Sequence, residues 1–244
     1  MLNKDKSNQN EKTRNRTRYL LKEKSMKNIL KVRMLGGFTL EYKGKELVLD
    51  RNNVSKTTQL FQLLLLHTQD GGISKAALID ALYGRSDVEN KNGSLNNTIF
   101  RLRKQLTAAG LPESSYININ GGMCTWDPDI ETSVDVCDFK QTIESARHEK
   151  SQKTKMEIYA KAWKLYTGEF LPDMMGEDWA AVENIACRDM YFDCVEELCH
   201  YLKTEEKFEE LYRVAHSAAE IYPFYDWQIS VSYTHLRAHE TCAD

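Results

Sequence analysis

The chain has 244 residues, 41% of them hydrophobic, and a formal net charge of −3. This length favours two modest domains, and the weak net charge argues against a non-specific nucleic-acid coat protein. No apolar run is long enough to cross a bilayer, no export signal opens the chain, and the six cysteines lack CxxC spacing. These features favour a cytoplasmic protein with reduced, mostly buried cysteines.

Charge is distributed unevenly along the chain. Nine basic and three acidic residues give +6 to residues 1–27, and twelve against ten give +2 to residues 28–130. Eleven basic residues against 21 acidic ones give −10 to residues 131–230. A basic front and an acidic back predict two domains with different partners, at 28–130 and 131–230. Residues 1–27 have almost no apolar content, which predicts a disordered basic arm.

Short strands and helices alternate in the first of these domains. Residues 31–49 predict three small antiparallel strands, because alternating segments are separated there by glycine turns. A leucine-rich helix follows at residues 55–68, and a second helix begins after Ser74 and ends near Gly84. Residues 116–126 contain an Asn-Gly-Gly turn between two short apolar segments, which predicts a β-hairpin.

Residues 91–106 predict an amphipathic helix just before that hairpin. Its apolar residues recur at helical spacing on one face, at Leu95, Ile99, Leu102 and Leu106. Asn97, Arg101 and Lys104 fall on the opposite face, and no acidic residue interrupts the segment. Such a helix can bury its leucines and present donors that pair with adenine and guanine edges. The alternative is an ordinary amphipathic helix with a solvated basic face.

The order of three strands, three helices and a hairpin predicts a winged helix-turn-helix domain. In that geometry the last helix enters the major groove and the hairpin forms the wing. The tip of the wing, with Asn118, Asn120 and Gly121, would lie near the DNA backbone or the minor groove. The predicted fold class is therefore mainly α with small β, a winged helix-turn-helix domain followed by an α-helical domain.

Residues 135–227 predict helices throughout. Apolar residues at helical spacing indicate four helices. The first contains Phe139 and Ile143, and the second contains Tyr159 and Trp163. The third contains Val182, Ile185, Cys194 and Leu198, and the fourth contains Phe208, Leu211, Tyr212 and Ala215. Paired antiparallel helices with interleaved large and small residues suit a stack like that of tetratricopeptide repeats. The exposed acidic residues Glu205, Glu206, Glu209 and Glu210 disfavour DNA and suit a protein partner.

Several segments in the same order resemble a known family. MLGGFTLEYKGKELVL, ISKAALIDALYG and NNTIFRLRKQL resemble the OmpR/PhoB-type winged helix, and more narrowly the DNA-binding half of the Streptomyces antibiotic regulatory protein (SARP) family. VDVCDF resembles the start of that family's bacterial transcriptional activation domain (BTAD). The resemblance covers about residues 30–228. It implies a sequence-specific transcription regulator, and by the family's name for the second domain an activator.

The resemblance also implies roles for single residues of the third helix. Asn97, Arg101 and Lys104 sit where the family's recognition helix faces the major groove and contacts bases. Flanking residues would hold DNA phosphates, namely Lys91, Asn96, Thr98 and Arg103. Phe100 departs from the small polar residue often found at its position. It either contacts a thymine methyl group or packs on the wing.

Partners follow from the resemblance as well. The expected partners are double-stranded promoter DNA, a second copy of the chain on that DNA, and RNA polymerase. Two copies would bind direct repeats of the DNA in a head-to-tail arrangement. The loop with Arg85, Ser86 and Asp87 lies where the broader winged-helix class contacts the polymerase. The BTAD would serve dimerisation, regulation or polymerase contact. No cofactor, metal, membrane association or enzymatic activity is expected.

The sequence leaves two other functions open, and its C-terminal segment is unusual. The chain could be a protein-interaction adaptor, or the front part of a larger regulator with an ATPase or sensory module. Residues 231–241 (VSYTHLRAHET) resemble translated adapter sequence from sequencing libraries. We therefore expect residues 231–244 to be non-native and the second domain to be truncated near Ser230.

Overall fold

The structure is a computed structural model that describes residues 28–50 and 54–224. The predicted arm at 1–27 and the predicted non-native tail at 231–244 lie outside the described residues. In chain order the elements are β1 (Leu30–Arg33), β2 (Thr39–Tyr42), β3 (Lys45–Leu47), α1 (Lys56–Leu66), β4 (Ile73–Ser74), α2 (Lys75–Tyr83), α3 (Lys91–Ala108), β5 (Ile117–Asn120), β6 (Met123–Trp126), β7 (Thr132–Val134), α4 (Asp135–His148), α5 (Gln152–Leu165), a 3-10 turn (Pro172–Met174), α6 (Asp178–Thr204) and α7 (Phe208–Ile221).

The N-terminal sheet has the strand order β3-β2-β1-β7. β1 pairs antiparallel with β2, and β2 with β3, so the three predicted strands are confirmed. β7 was not predicted. It pairs parallel with β1 although it comes about a hundred residues later, and three residues carry too short a pattern to indicate a strand.

The central helix α1 is buried on nearly all sides, with Leu60, Phe61, Leu64 and Leu65 fully inaccessible. Ser55 caps its N-terminus, because the Ser55 hydroxyl accepts a hydrogen bond from the Thr58 amide at 3.2 Å. Ser74 caps α2 in the same way through the Ala77 amide at 3.1 Å. The predicted helix starts are therefore confirmed, and both follow from capping residues that are visible in the sequence.

The wing is the hairpin of β5 and β6, and β4 pairs with the outer edge of β6. Its turn is formed by Gly121 and Gly122, whose φ angles of +57° and +82° suit the two central positions of a tight hairpin turn. Side chains at these positions would strain the turn, so the two glycines fix the register of the wing.

The second unit consists of the helix pairs α4–α5 and α6–α7. One part of the predicted core is wrong, because Val182 and Ile185 are 68% and 48% exposed. The first half of α6 instead packs through a face of smaller residues that includes Ala180, Asn184 and Cys187. Phe208 and Tyr212 of α7 are also more than a third exposed, whereas Leu211 and Ala215 of the same predicted pattern are buried, together with Val214 and Ala218.

The two units are joined at the end of β1. The Asp135 carboxylate accepts hydrogen bonds from the backbone amides of Met34 (2.7 Å) and Leu35 (3.0 Å). The Leu171 amide donates to the Met34 carbonyl at 2.9 Å, and the Thr167 hydroxyl donates to the Leu35 carbonyl at 2.7 Å. Because backbone groups of one unit bond directly to the other, their relative orientation is closely specified.

The predicted fold class is confirmed: a mainly α chain with small sheets, in which a winged helix-turn-helix unit precedes a helical unit. The domain boundary at residue 130 stays a prediction. Within residues 28–50 and 54–224, none of the helices combines the length and the hydrophobicity needed to span a membrane.

Candidate nucleic-acid interface

Helix α3 has one buried face and one exposed polar face. Leu95, Ile99, Leu102 and Leu106 are at most 3% exposed and anchor the helix in the core of the winged helix. Asn97, Arg101 and Lys104 are all exposed on the opposite side. The three predicted base-contacting residues therefore share one accessible face, although their contact with bases stays a prediction.

The start of α3 is fixed by a side-chain cap. The Asn90 carboxamide oxygen accepts a hydrogen bond from the Gly93 amide at 2.8 Å. A Cβ atom at Gly93 would lie only 2.7 Å from the Asn90 side-chain nitrogen, so a larger residue there would displace the cap. The sequence Asn-x-x-Gly thereby sets where the exposed face begins.

Phe100 lies within the exposed face of α3. Its side chain is 57% exposed, and the Lys104 ammonium nitrogen lies 4.6 Å from the ring centroid. Of the two alternatives for this residue, the exposure favours contact with a ligand outside the protein over packing on the wing. The adjacent ammonium group is attracted by the face of the ring, which keeps the charge and the apolar surface side by side.

Two predicted phosphate contacts need correction. Thr98 is buried, and its hydroxyl lies 2.7 Å from the Tyr83 hydroxyl and donates to the Ser94 carbonyl at 3.0 Å. The prediction for Thr98 is wrong, because this residue falls on the inner face of the helix. Arg103 donates from Nε to the Ser115 carbonyl (3.0 Å) and from Nη2 to the Ile117 carbonyl (2.7 Å). Its guanidinium thus fastens α3 to the wing instead of pointing outward.

The other two predicted phosphate contacts are partly engaged with the protein. Lys91 is half-buried, and its ammonium group donates to the Gly84 carbonyl at 3.4 Å. Asn96 is exposed, and its carboxamide oxygen accepts from the Lys75 ammonium at 3.5 Å. Phosphate binding by Lys91 and Asn96 stays a prediction. Lys75, at the start of α2, is a cation beside α3 that sequence analysis missed, because 21 residues separate it from its neighbour Asn96.

The wing residues Asn118, Asn120 and Gly121 are all exposed. Asn118 is held at the base of the hairpin, where its side-chain oxygen accepts from the Ser115 hydroxyl at 2.8 Å. The tip also exposes two apolar side chains, Ile119 and Met123, at 44% and 37%. The wing therefore presents a mixed polar and apolar edge, and its contact with DNA stays a prediction.

A buried carboxylate holds the base of the wing. Asp127 is 6% exposed and accepts hydrogen bonds from the Ser114 hydroxyl (2.6 Å) and the Ser115 hydroxyl (3.2 Å). The hydrogen bond from Ser114 is the main cause that lowers the pKa of Asp127. Burial raises this pKa, but further hydrogen bonds lower it again, from the Asp129 amide, the Ser115 hydroxyl and the Tyr116 amide. The ionised form is favoured by these donors, so the wing is anchored by a charge-assisted network.

The predicted polymerase-contact loop lies against the helical unit. The Arg85 guanidinium forms an ion pair with Asp178 at the start of α6. Ser86 donates from its hydroxyl to the Tyr83 carbonyl at 2.9 Å, and Asp87 is exposed. A partner that binds this loop would therefore also approach the N-terminal end of α6.

Possible metal ligands are dispersed in the part of the chain that the structure describes. No group of three or more His, Cys, Asp or Glu side chains there is arranged to hold a metal ion. Cys194 is buried in the helical unit, with its sulfur 3.4 Å from the Tyr159 carbonyl oxygen. Burial is also the main cause that raises its pKa above the ordinary thiol value, so the sulfur packs in the core as a neutral thiol.

Comparison with known proteins shows a similarity to a solved structure. No protein-family model and no curated protein matches the chain. Among solved structures, the chain is similar to EmbR of Mycobacterium tuberculosis, which was solved in complex with a low-affinity phosphopeptide. The identity is 14% and the TM-score is 0.62, over 84% of this chain and 54% of the EmbR chain.

The chain shares the fold of the matched part of EmbR. At 14% identity the similarity to EmbR shows this fold and nothing finer. The chain spans about half the length of the EmbR chain.

Proposed function

We propose that this protein is a sequence-specific, DNA-binding transcription regulator of the SARP type. It would act in the cytoplasm on the nucleoid, without enzymatic activity. The observation that carries the proposal is the exposed face of α3, where Asn97, Arg101 and Lys104 lie together over a fully buried apolar face. A helix of this kind, followed by a wing, is the geometry that enters the major groove.

In the proposed complex, different residues position the helix and contact the bases. Arg103 fixes α3 to the wing through two backbone carbonyls, so the outer face keeps a set orientation. Arg101 would pair bidentately with a guanine and Asn97 with an adenine, while Lys104 adds a third polar contact. Lys75, Lys91 and Asn96 would contact phosphates beside the helix, and the wing would contact the neighbouring backbone.

The helical unit would supply the regulatory contacts, and we propose that residues 131–230 are a BTAD. Its acidic surface suits a protein partner, either a second copy of the chain on direct repeats or RNA polymerase. The ion pair between Arg85 and Asp178 supports a polymerase surface built from both units. Activation would then depend on the relative orientation of the two units.

Selection of bound fragments from genomic DNA by the full-length protein tests this function. We expect enrichment of a short motif that occurs as a head-to-tail repeat. We also expect the affinity for the motif to fall steeply with salt, because neutralised phosphates release counterions. Failure to enrich any motif, together with failure to retain duplex DNA at low salt, would favour the protein-interaction adaptor.

A further inference from the structure

A groove between α5, α6 and α7 lies outside the residues used by the proposed function. Its volume is about 520 Å³, within the range of small-molecule sites of about 300–1,000 Å³. Its floor is apolar and is formed by the buried side chains of Met156, Leu198, Leu202 and Val214, with Ala160 and Trp163 beside them. The groove can therefore take an apolar body of substantial size.

The rim of the groove reverses the charge of its surroundings. Four basic residues line it, Lys153, Lys164, Lys207 and Arg213, against two acidic ones, Glu157 and Glu210. Residues 131–230 as a whole carry eleven basic and 21 acidic residues. More than a third of the basic residues of an acidic segment thus gather around one groove, which gives this site an affinity for anions.

The basic residues of the rim have few acidic partners. Elsewhere in the helical unit, Lys140 pairs with Glu183, and Lys155 lies 3.6 Å from Glu197. At the rim, Arg213 has an acidic neighbour at 3.8 Å, on its own helix. Lys153 and Lys164 form no ion pair within 4 Å among the residues that the structure describes. An anion bound beside Lys153 or Lys164 would therefore gain attraction without breaking an ion pair of the described residues.

The lining also distinguishes between kinds of anion. An extended peptide needs hydrogen-bond partners for its backbone. The floor of the groove offers few such partners, because it is formed mainly by aliphatic side chains and its walls are helices whose backbone groups are bonded internally. A small molecule with one charged head and an apolar tail needs none of these partners.

We propose that this groove binds a small amphipathic organic anion, of the class of medium-chain carboxylates. The carboxylate would lie at the basic rim, and the aliphatic chain would pack on the floor beside Trp163. Neutral or cationic molecules of the same length would lack the attraction of the rim. This proposal is independent of DNA binding.

Displacement of a fluorescent probe from the full-length protein tests the proposal. The probe is 8-anilinonaphthalene-1-sulfonate, an aromatic anion whose emission rises in apolar sites, with decanoate as the competitor. We expect decanoate to displace the probe, and decanol and decylamine to compete at least about tenfold more weakly. Energy transfer from tryptophan to the probe should fall in Trp163→Phe, because that ring lines the groove.

Variants locate the site. At least one of the rim variants Lys164→Gln and Lys207→Gln, which change opposite ends of the groove, should weaken decanoate binding about two- to fivefold, the range for partly exposed charge pairs. Ala160→Phe should fill the space above the floor of the groove and abolish decanoate binding. Lys161→Gln is the matched control, because Lys161 is exposed on the same helix but does not line the groove. Circular dichroism would confirm that each variant is folded.

Three results would overturn the proposal: decanol competing as well as decanoate, undiminished binding in the Lys164 and Lys207 variants, or equal loss in the Lys161 control. Tight binding of an acidic peptide that decanoate cannot displace would also overturn it, in favour of a peptide groove.

Discussion

Phe100 is the residue that most departs from a purely polar DNA-contacting face. Its ring is 57% exposed beside Lys104. An aromatic ring at this position can pack on the C5-methyl group of thymine, which is the only apolar group in the major groove. We therefore expect the affinity for DNA to depend on the methyl group of one thymine.

Replacing single thymines by uracil in the selected motif removes that methyl group and nothing else. We expect the parent protein to lose about two- to fivefold in affinity at one position, equivalent to about 0.4–1 kcal/mol. Phe100→Ala should bind more weakly and be insensitive to the replacement at that position. The idea fails if the parent tolerates uracil everywhere, or if the variant keeps the same sensitivity.

Asp135 is the charged residue at the junction of the two units. Burial raises its pKa to about 6, against the opposing effect of hydrogen bonds from the Leu35, Met34 and Val136 amides. The folded protein therefore binds this proton more tightly than the unfolded chain, whose pKa is the ordinary 3.8. The contribution of Asp135 to the free energy of unfolding should fall as the pH rises from about 4 to about 6.

Asp135→Asn tests this assignment, because asparagine keeps the shape and removes the titration. We expect the variant to lose this part of the pH dependence and to be less stable by about 1–3 kcal/mol at neutral pH. The cause is that the new NH₂ group faces a backbone amide. Denaturant unfolding of both proteins at several pH values measures both effects. Identical pH profiles would refute the assignment.

At the scale of elements, α1 contains an unfavourable residue in its core-facing surface. Gln62 is fully buried, and neither its side-chain oxygen nor its nitrogen has a partner among the described residues. Its neighbour Gln59 is equally buried but donates to the Val54 carbonyl at 3.0 Å and to Glu177 at 2.8 Å. Replacing each glutamine by leucine should therefore change the free energy of unfolding in opposite directions.

Gln62→Leu should raise the free energy of unfolding by about 1 kcal/mol, because an apolar group replaces an unsatisfied amide. Gln59→Leu should lower it by about 1–3 kcal/mol, because it removes three side-chain hydrogen bonds, those with the Val54 carbonyl, Glu177 and Lys56. Urea unfolding at one pH gives both values. Destabilisation by both substitutions to the same extent would contradict the expectation for Gln62.

The sequence predicted those elements whose signals are local. Caps at Ser55 and Ser74, the glycine turn of the wing and the leucine spacing of α3 each act within a few residues. Failures occurred where distant packing decides. Thr98 is turned inward toward Tyr83, and Arg103 is directed to wing carbonyls twelve and fourteen residues away.

Packing also decided which face of α6 is buried. The hydrophobicity of Val182 and Ile185 suggested one face, but the small residues Ala180 and Cys187 allow a closer approach on another. The strand β7 was missed for the same reason, since its pairing with β1 depends on the whole intervening chain. The order of elements and the outward residues of α3 were thus accessible from sequence, and the partners of individual side chains were not.

The contacts that join the two units differ in strength. The ion pair between Arg85 and Asp178 is more than two-thirds exposed on both sides. Such a pair contributes about 0–1 kcal/mol. The bonds between Asp135 and the amides of Met34 and Leu35 are more buried and involve backbone groups, so they should dominate the junction.

Asp178→Ala should therefore change the free energy of unfolding by less than about 1 kcal/mol, and both units should still unfold in one transition. Asp135→Asn provides the comparison, with the larger loss predicted above. Differential scanning calorimetry measures both quantities. Two separate transitions in the parent protein, or a larger loss in Asp178→Ala than in Asp135→Asn, would show that the junction is held differently.

Titration of the selected DNA motif with Arg101→Ala shows whether the exposed face of α3 contacts bases. We expect specific binding to weaken by about 1–3 kcal/mol and discrimination to be lost at one base position, while the exposed-lysine control Lys161→Gln binds like the parent. Unchanged affinity and unchanged base preference in Arg101→Ala would show that this face does not contact bases.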